Sequence, residues 1–395
     1  MFLELIVAVV SGICLGIITG LIPGIHVNLI SILLLSVASI LDFLNPIALC
    51  VIIISMAVTH TFLDTIPSVF LGAPDSNNVL SILPGHKLLL EGRGYEAVML
   101  TVIGSLGALI ICVIMLKFFL DGVKIIYPFV KNYIGLLILA IVIFLLVKER
   151  KFYAVMVFFL AGILGIVVLN LDGLKEPLFP LLSGLFGTSM LFLSANENIK
   201  IPEQKITEIK LKNGGKAIGC SVFAGWICSF MPGLGPSQAA ILSSVFVKNL
   251  GTEGFLILVG GLSTVNMVLS LVTLYVLDKA RNGAIVAVSN IIGSIDLNIF
   301  LIFISAVLIV GGVATILASK FAKIFSKIIC KVNYRVLCYT IISLIFVLVF
   351  IISGFLGLLV LVVATFLGMV PALKGVGRNN MMGCLLIPVM SYFLL

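Results

Sequence analysis

Two similar stretches decide the fold of this chain: Gly16-Ile-Ile-Thr-Gly-Leu-Ile-Pro23-Gly24 and Gly225-Trp-Ile-Cys-Ser-Phe-Met-Pro232-Gly233. Each places a proline-glycine pair in an apolar run, at the same spacing from the leading glycine. Proline lacks a backbone N–H and obstructs the carbonyl four residues before it, so each pair interrupts an otherwise continuous helix. The two stretches therefore predict two related halves, each containing a broken helix.

The composition places the chain in a lipid bilayer. Of its 395 residues, 62% are hydrophobic and only 10% are charged, whereas soluble domains carry about 25% charged residues. Apolar runs such as Ile134–Val147 and Val336–Ile352 recur, and a membrane-spanning helix needs about 20 such residues. We expect an all-α polytopic integral membrane protein whose N-terminal apolar run is retained as a helix.

Further similarities between the halves follow in the same order along the chain. The stretch 94–105 resembles 283–294, and 162–169 resembles 354–361. The most polar extended stretch, 196–216, lies between the two series. We therefore expect a first transmembrane repeat over residues 1–195, a polar linker over 196–216 and a second repeat over 217–395.

The number of crossings decides how the halves are oriented. If the proline-glycine element is re-entrant, the first half crosses five times, near residues 48–62, 98–119, 134–147, 152–169 and 179–193. Five is odd, so the second half is inverted. Basic residues mark cytoplasmic loops, and this topology places 18 of the 24 lysines and arginines inside and 6 outside. The sequence thus predicts inverted repeats in a multi-pass protein of the plasma membrane.

The helix breaks are candidate binding sites for an anion. A helix that begins after each proline-glycine pair would direct its first N–H groups and positive dipole end at the break. Asn28 and Ser237 take matching places five residues after each proline, and His26 stands at the first break. Proline kinks and helix capping are the simpler alternatives. The candidate substrate-binding residues are Pro23, Gly24, His26, Asn28, Pro232, Gly233, Gly235, Ser237 and Gln238.

A second group of polar residues could bind a coupling ion. His60 and Asp64 are four residues apart, so a helix places them on one face, with Thr59 alongside. Asp296 lies in a long apolar run, and Asn266 lies in the counterpart of the Thr59 region. Ionisable residues inside a membrane are functional candidates because their burial is costly. A position at the membrane interface, or polar packing between helices, would explain the same residues.

Other classes of protein are disfavoured. The eight cysteines show no metal or redox spacing and are expected to be small buried apolar residues. No HExxH or GxSxG motif occurs, so we expect no enzyme activity and no cofactor, with Na⁺ as a candidate coupling ion. The formal charge of +8 is typical of orientation signals, so we expect no nucleic-acid partner.

The chain resembles a known family, the large membrane subunit of the tripartite tricarboxylate transporters. The resemblance rests on GIITGLIPGIHVN at 16–28, GWICSFMPGLGPSQAA at 225–240, IPSVFLGAP at 66–74, LPGHKLLLEGRGYEA at 83–97 and LSGLFGTSML at 182–191. The family has Gly-Gly-Ser ahead of its first conserved loop, where this chain has Thr59-His60-Thr61-Phe62-Leu63-Asp64.

The resemblance implies an ion-coupled importer of carboxylates that works with a small membrane subunit and an external binding protein. Proline-glycine repeats of a similar kind also occur in families that return polyprenyl phosphate carriers across membranes. We therefore expect a secondary active transporter of an organic anion, with translocation of an anionic lipid phosphate as the alternative.

Overall fold

The computed structural model describes residues 2–22, 27–36, 45–72, 82–149, 151–196, 201–206, 209, 211, 214–230, 235–237, 239, 240, 243, 250–280, 282–331 and 333–394. These residues form helices joined by turns and short extended segments, and none of them forms a strand. The predicted all-α class is therefore confirmed.

The first half begins with a broken helical element and continues with longer helices. Helix α1 ends two residues before Pro23, and α2 begins three residues after Gly24. The helices are α1 (Phe2–Leu21), α2 (Val27–Ser36), α3 (Pro46–Leu63), α4 (Thr65–Leu71), α5 (Ile82–Leu90), α6 (Gly94–Ile114), α7 (Leu116–Val130), α8 (Ile134–Glu149), α9 (Phe152–Leu169), α10 (Leu178–Leu182), a π-helix (Ser183–Thr188) and α11 (Ser189–Asn196).

The second half contains the longest helices. They are α12 (Gly214–Phe230), α13 (Gly251–Leu277), α14 (Gly283–Ile292), α15 (Leu297–Ile329), α16 (Tyr334–Lys374), a 3₁₀ helix (Arg378–Met382) and α17 (Gly383–Leu394). Helix α16 is interrupted at Gly354, whose φ of 68° and ψ of −163° are not helical. Glycine adopts this conformation without steric cost because it has no Cβ atom.

Among the described residues, seven helical segments are long and apolar enough to cross a membrane, so the protein is polytopic. They are Phe2–Leu21, Pro46–Leu71, Gly94–Ile114, Phe152–Leu169, Gly251–Leu277, Leu297–Ile329 and Arg335–Lys374. The run expected to continue to residue 119 ends at Ile114, and α7 follows with charged Lys117 and Asp121. Because α1 alone reaches spanning length, the re-entrant course of the first broken element stays a prediction.

Helices α3 and α13 form the centre of the molecule. In the most apolar 18-residue stretch of each segment, 83% of the residues are buried in α3–α4 and 89% in α13, against 22% in α1. Helix α1 packs on α3 and α12 packs on α13, while α15 and α6 cover α3 and α13 from the opposite half. The two halves therefore interleave around these two helices.

Proline 67 separates α3 from α4. It cannot donate a hydrogen bond to the Leu63 carbonyl four residues earlier, so the helical ladder is interrupted at Asp64. The Ser68 hydroxyl donates to the Asp64 carbonyl at 3.0 Å. This interruption places the Asp64 side chain at a joint inside a buried segment.

In two pairs of helices, each helix places a glycine against the backbone of the other, and each pair joins a helix before residue 196 to one after residue 216. Added Cβ atoms at these glycines would overlap a facing backbone carbonyl: Gly165 that of Cys384, Gly383 that of Phe158, Gly368 that of Leu185 and Gly184 that of Leu361. The first two contacts join α9 to α17, and the other two join α16 to the π-helix. Such an exchange is expected of two related halves. Their inversion, and the boundaries 1–195, 196–216 and 217–395, stay predictions.

Residues 201–206, in the predicted linker, lie against the turn between α5 and α6. The Gly94 amide donates to Gln204 Oε1 at 2.8 Å, and Gln204 Nε2 donates to the Leu89 carbonyl at 3.0 Å. The Lys205 amide donates to the Gly92 carbonyl at 2.8 Å. The linker is therefore attached to the first half by side-chain and backbone hydrogen bonds.

At the same turn, Arg93 connects the two halves. Its Nε and Nη2 atoms donate to the two carboxylate oxygens of Glu96 at 2.8 and 2.7 Å, and Nη2 also donates to Glu253 Oε1 at 2.5 Å. Hydrogen bonds to Glu96 and then Glu253 raise the pKa of the Arg93 guanidinium above its ordinary value. This cation therefore stays charged and joins the start of α6 to the first turn of α13.

Candidate functional site

A polar cavity of about 70 Å³ lies among α2, α3, α13 and the residues that lead into α14. A water molecule needs about 10–15 Å³ of such space, so the cavity has room for a few waters or one small polar group. It is lined by Val27, Asn28, Ala57, His60, Thr61, Ser263, Asn266, Met267, Asn282 and Ala284. Candidates that the sequence assigned to two different sites, Asn28 for substrate and His60 with Asn266 for ion coupling, thus meet in one cavity.

Helix α3 supplies the ionisable groups. His60 is 3% exposed and Asp64 is 2% exposed, and His60 Nε2 lies 3.8 Å from Asp64 Oδ2. The Thr65 hydroxyl donates to Asp64 Oδ1 at 3.3 Å. The two side chains share one helix face, as their spacing predicts. His60 lines the cavity, and Asp64 stands behind it.

Helix α13 supplies neutral polar groups. Ser263 and Asn266 line the cavity. The Ser270 hydroxyl donates to the backbone carbonyl of Asn266 at 2.6 Å, so the side-chain amide of Asn266 is not used in this bond. The Thr61 and Thr264 hydroxyls lie 3.4 Å apart and join α3 to α13. Among the described residues, no three His, Cys, Asp or Glu side chains are grouped as metal ligands.

Asn28 reaches the cavity because a glycine faces it. A Cβ atom at Gly283 would approach the Asn28 side chain to between 2.7 and 2.9 Å, so only glycine leaves room for this approach of α2 to α14. Asn28 is one of the two residues that the sequence places five positions after a proline.

Asn282 is a cavity residue that the sequence reasoning missed. Its Oδ1 accepts a hydrogen bond from the Ile285 amide at 2.9 Å and caps α14. Its Nδ2 lies 3.7 Å from Met267 Sδ. An asparagine directly before an apolar helix is a typical cap, and that signal was available at Asn282-Gly283.

Besides Asp64, two further ion-coupling candidates, Thr59 and Asp296, lie away from the cavity lining. Thr59 is fully buried against Gly16, where an added Cβ atom would meet its Cβ at 2.5 Å. Asp296 is exposed and caps α15, accepting a hydrogen bond from the Ile299 amide at 2.8 Å. The structure therefore gives Thr59 a packing contact and Asp296 a capping contact.

Most residues at the two helix breaks lie outside the described part of the chain. This applies to Pro23, Gly24, His26, Pro232, Gly233 and Gln238. Near the second break, the Ala239 amide donates to the Gly235 carbonyl at 3.0 Å, in a helical pattern, and Ser237 is buried. The anion site predicted at the paired breaks stays a prediction, while Asn28 connects the first break to the observed cavity.

Comparison with known proteins agrees with the resemblance noted in the motifs. Residues 6–383 match the family described as the Tripartite tricarboxylate transporter TctA family. An uncharacterized protein of Methanocaldococcus jannaschii is 29% identical to this chain over 401 residues, covering 98% of each sequence. No solved structure matches the chain. The protein therefore belongs to the tripartite tricarboxylate transporter TctA family, whose members are membrane transporter components.

Proposed function

We propose that this protein is a secondary active transporter of an organic anion of the carboxylate class, coupled to Na⁺ or H⁺. The observation that carries the proposal is the polar cavity, to which residues on both sides of the predicted linker contribute. Family membership supports the transport class. Transporters built from repeats commonly bind substrate and coupling ion where helices of the two repeats meet.

The lining suits an anion. Asn28, Asn266 and Asn282 carry amide N–H donors, and Ser263 carries a hydroxyl donor. The Thr61 hydroxyl donates to the Val58 carbonyl at 2.9 Å. Among the described lining residues there is no carboxylate that would repel a substrate carboxylate. A protonated His60 would add the positive charge that is otherwise missing.

The coupling ion has two candidate positions. Histidine has an unperturbed pKa of about 6.5 and changes charge near neutral pH, and Asp64 lies where it can stabilise a proton on His60. The amide and hydroxyl oxygens of Asn266, Thr61 and Ser263 offer oxygen ligands for Na⁺ instead. A carboxylate and a cation bound together would neutralise each other inside the membrane, which explains why the two should move together.

The cavity holds one small polar group and not a whole tricarboxylate. We infer that the cavity must widen to admit a whole substrate and that the two halves separate for this to happen. Family members work with other subunits of a tripartite system. We propose that a small membrane subunit and an external binding protein deliver the substrate to this chain.

A second candidate function is translocation of a polyprenyl phosphate or similar anionic lipid carrier. A large apolar groove of about 610 Å³ between α1 and α15, lined by residues such as Leu5, Val9 and Ile302, favours it. A hydrocarbon chain would lie against this groove, and its phosphate would need polar donors at one end.

Ligand-dependent thermal stability separates these candidates. A ligand at 100 times its Kd stabilises the native state by about 2.7 kcal/mol, which raises the unfolding temperature measurably. The purified protein should be stabilised by di- or tricarboxylates, only with Na⁺ present or only at lower pH, and the stabilising anion should then drive uptake into proteoliposomes. Stabilisation by polyprenyl phosphate alone would replace the carboxylate proposal with the lipid one.

The matched variant is His60→Gln, which keeps a polar side chain and removes the titratable ring. If H⁺ is the coupling ion, this variant loses the pH dependence of carboxylate binding. If Na⁺ is the coupling ion, its sodium dependence persists. Carboxylate binding with neither dependence would contradict the proposal of ion coupling.

A further inference from the structure

A basic cluster lies where α16 ends and α9 begins, away from the polar cavity. Lys151 precedes α9, and its Nζ donates to the Gly375 carbonyl at 2.8 Å. Lys374, the last residue of α16, holds its Nζ 5.0 Å from the centre of the Tyr153 ring. Arg378 opens the 3₁₀ helix that packs against α9, α16 and α17. The residues that carry these three cations thus lie at the start of α9 and along the connection from α16 to the 3₁₀ helix.

Arg378 is the unusual member of this cluster. Its Nη1 atom is buried and has no hydrogen-bond partner among the residues that the structure describes. Burial lowers the pKa of its guanidinium from the ordinary value. A buried cationic donor without a partner carries a large desolvation cost, so an anion that completes its hydrogen bonds would stabilise the native protein.

The positive charges of this cluster are not neutralised by nearby carboxylates. In the part of the chain that the structure describes, no ion pair joins Lys151, Lys374 or Arg378 to a carboxylate. Lys151 bonds a carbonyl and Lys374 lies over an aromatic ring, so both keep their charge available. The cluster therefore presents net positive charge to whatever approaches it.

The surroundings select a lipid over a soluble anion. Phe152 is 77% exposed and Leu373 is 69% exposed, directly beside the two lysines in the sequence. Tyr153 is 41% exposed, and tyrosine is enriched at the level of lipid head groups. In the topology predicted from the sequence, Lys151, Lys374 and Arg378 are among the 18 basic residues placed on the cytoplasmic side. Basic pockets between membrane helices on that side bind anionic lipid head groups.

We propose that Lys151, Lys374 and Arg378 form a binding site for the head group of an anionic phospholipid. The half-buried guanidinium of Arg378 donates to a phosphate oxygen, and the two lysines add positive charge beside it. The exposed apolar side chains of Phe152 and Leu373 lie along the acyl chains. The site is separate from the proposed transport cavity and does not depend on the identity of the substrate.

The test uses the full-length protein in detergent with phosphatidylglycerol, phosphatidylcholine or inorganic phosphate. Native mass spectrometry counts retained lipids, and thermal unfolding reports stabilisation. Phosphatidylglycerol should remain bound and raise the unfolding temperature more than phosphatidylcholine does. Arg378→Gln should weaken phosphatidylglycerol binding by about tenfold, as expected for loss of a charge-assisted hydrogen bond. Lys327→Gln, which removes an exposed lysine of α15, is the matched control and should leave it unchanged.

Three outcomes would overturn the proposal. Arg378→Gln could bind phosphatidylglycerol as well as the wild type, or Lys327→Gln could weaken binding equally. Inorganic phosphate could reproduce the whole stabilisation while no phosphatidylglycerol is retained, which would identify a site for a soluble anion. If Arg378→Gln does not fold, the double variant Lys151→Gln, Lys374→Gln decides: several-fold weaker phosphatidylglycerol binding supports the site, and unchanged binding overturns it.

Discussion

In the predicted repeat, helices α3 and α13 take matching places but carry different polar side chains. With the offset of 209 that separates Pro23 from Pro232, His60 aligns with Leu269 and Asp64 aligns with Thr273. The same offset relates packing contacts, because Gly16 lies against Met56 while Gly225 lies against Val265. The scaffold positions of the two helices thus agree where their functional residues do not.

The two helices contribute different kinds of side chain to the cavity. The described lining takes its ionisable group from α3, and Asn266 of α13 aligns with Ala57 of α3. One helix therefore offers charge and the other offers neutral hydrogen bonds. If the predicted repeat and the proposed transport function hold, the two helices contribute different groups to one cavity: a titratable side chain from α3 and an amide from α13.

The largest expected effect comes from removing the charge on α3. Asp64→Asn should lower ion-coupled uptake by roughly 100-fold, because loss of a buried charge partner costs about 3 kcal/mol or more. Uptake into proteoliposomes measures it. Substrate exchange, which needs no net movement of the coupling ion, should survive better than uptake. Thr273→Val at the aligned position of α13 is the control, and an equal loss there would break the comparison.

Removing a neutral polar side chain of α13 should have a smaller effect, on substrate affinity and not on ion coupling. Asn266→Ala removes an amide from the cavity and should weaken carboxylate binding by about fivefold while ion dependence persists, since one hydrogen bond contributes about 1 kcal/mol. Ligand-dependent unfolding temperatures give the affinities. Ser270→Ala, whose hydroxyl bonds the Asn266 carbonyl outside the cavity lining, should keep the affinity. Loss of ion dependence in Asn266→Ala would assign the coupling ion to α13.

The packing of the two scaffold helices can be compared through their glycines. An added methyl group at Gly16 would meet the backbone carbonyl of Met56 and the side chain of Thr59, whereas at Gly225 the nearest atoms all belong to side chains, chiefly that of Val265. Gly16→Ala should destabilise the protein by about 1–3 kcal/mol, and Gly225→Ala should cost less. Thermal unfolding measures both.

Gly219→Ala, where nothing lies within 4 Å of the added atom, is the control. It should be neutral or raise stability by up to about 1 kcal/mol through helix propensity. Equal losses at Gly16 and Gly225 would show that the two helix pairs are packed equally tightly.

The smallest effect is expected at Asp296. If this carboxylate serves as a helix cap, Asp296→Asn keeps the capping oxygen and leaves uptake and ion dependence unchanged. Asp296→Ala should cost about 1 kcal/mol of stability, measured by thermal unfolding. A loss of uptake in Asp296→Asn would return this residue to the ion-coupling set and add a charged contribution from the second half.

The sequence predicts features that depend on spacing along one helix. The four-residue separation of His60 and Asp64 is enough to bring their side chains together, and the interruption after Leu21 follows from Pro23. Composition is enough to predict an all-α membrane protein. A proline interrupts the helix within a few residues of itself, and residues four apart meet within one helical turn. Both effects can therefore be predicted from short stretches of sequence.

Contacts between segments that are far apart in the sequence could not be predicted from such local patterns. Asn28 reaches the cavity of His60 because α2 lies beside α14 at Gly283, and no spacing encodes that approach. Asp296 was expected to be isolated in an apolar run, but its place three residues before Ile299 makes it a cap on an exposed turn. Hydropathy averaged over a run does not show where a helix begins within it.

The hydrogen bonds of Gln204 and Lys205 to the α5–α6 turn have a consequence for biosynthesis. As the chain emerges from the ribosome, residues 201–206 complete the first half before α12 has been made. A gene divided between the codons for Leu211 and Gly214 would leave these bonds within the N-terminal fragment. The two fragments, produced together, would then meet mainly through α3, α6, α13 and α15, where complementation of one half by the other can be scored directly.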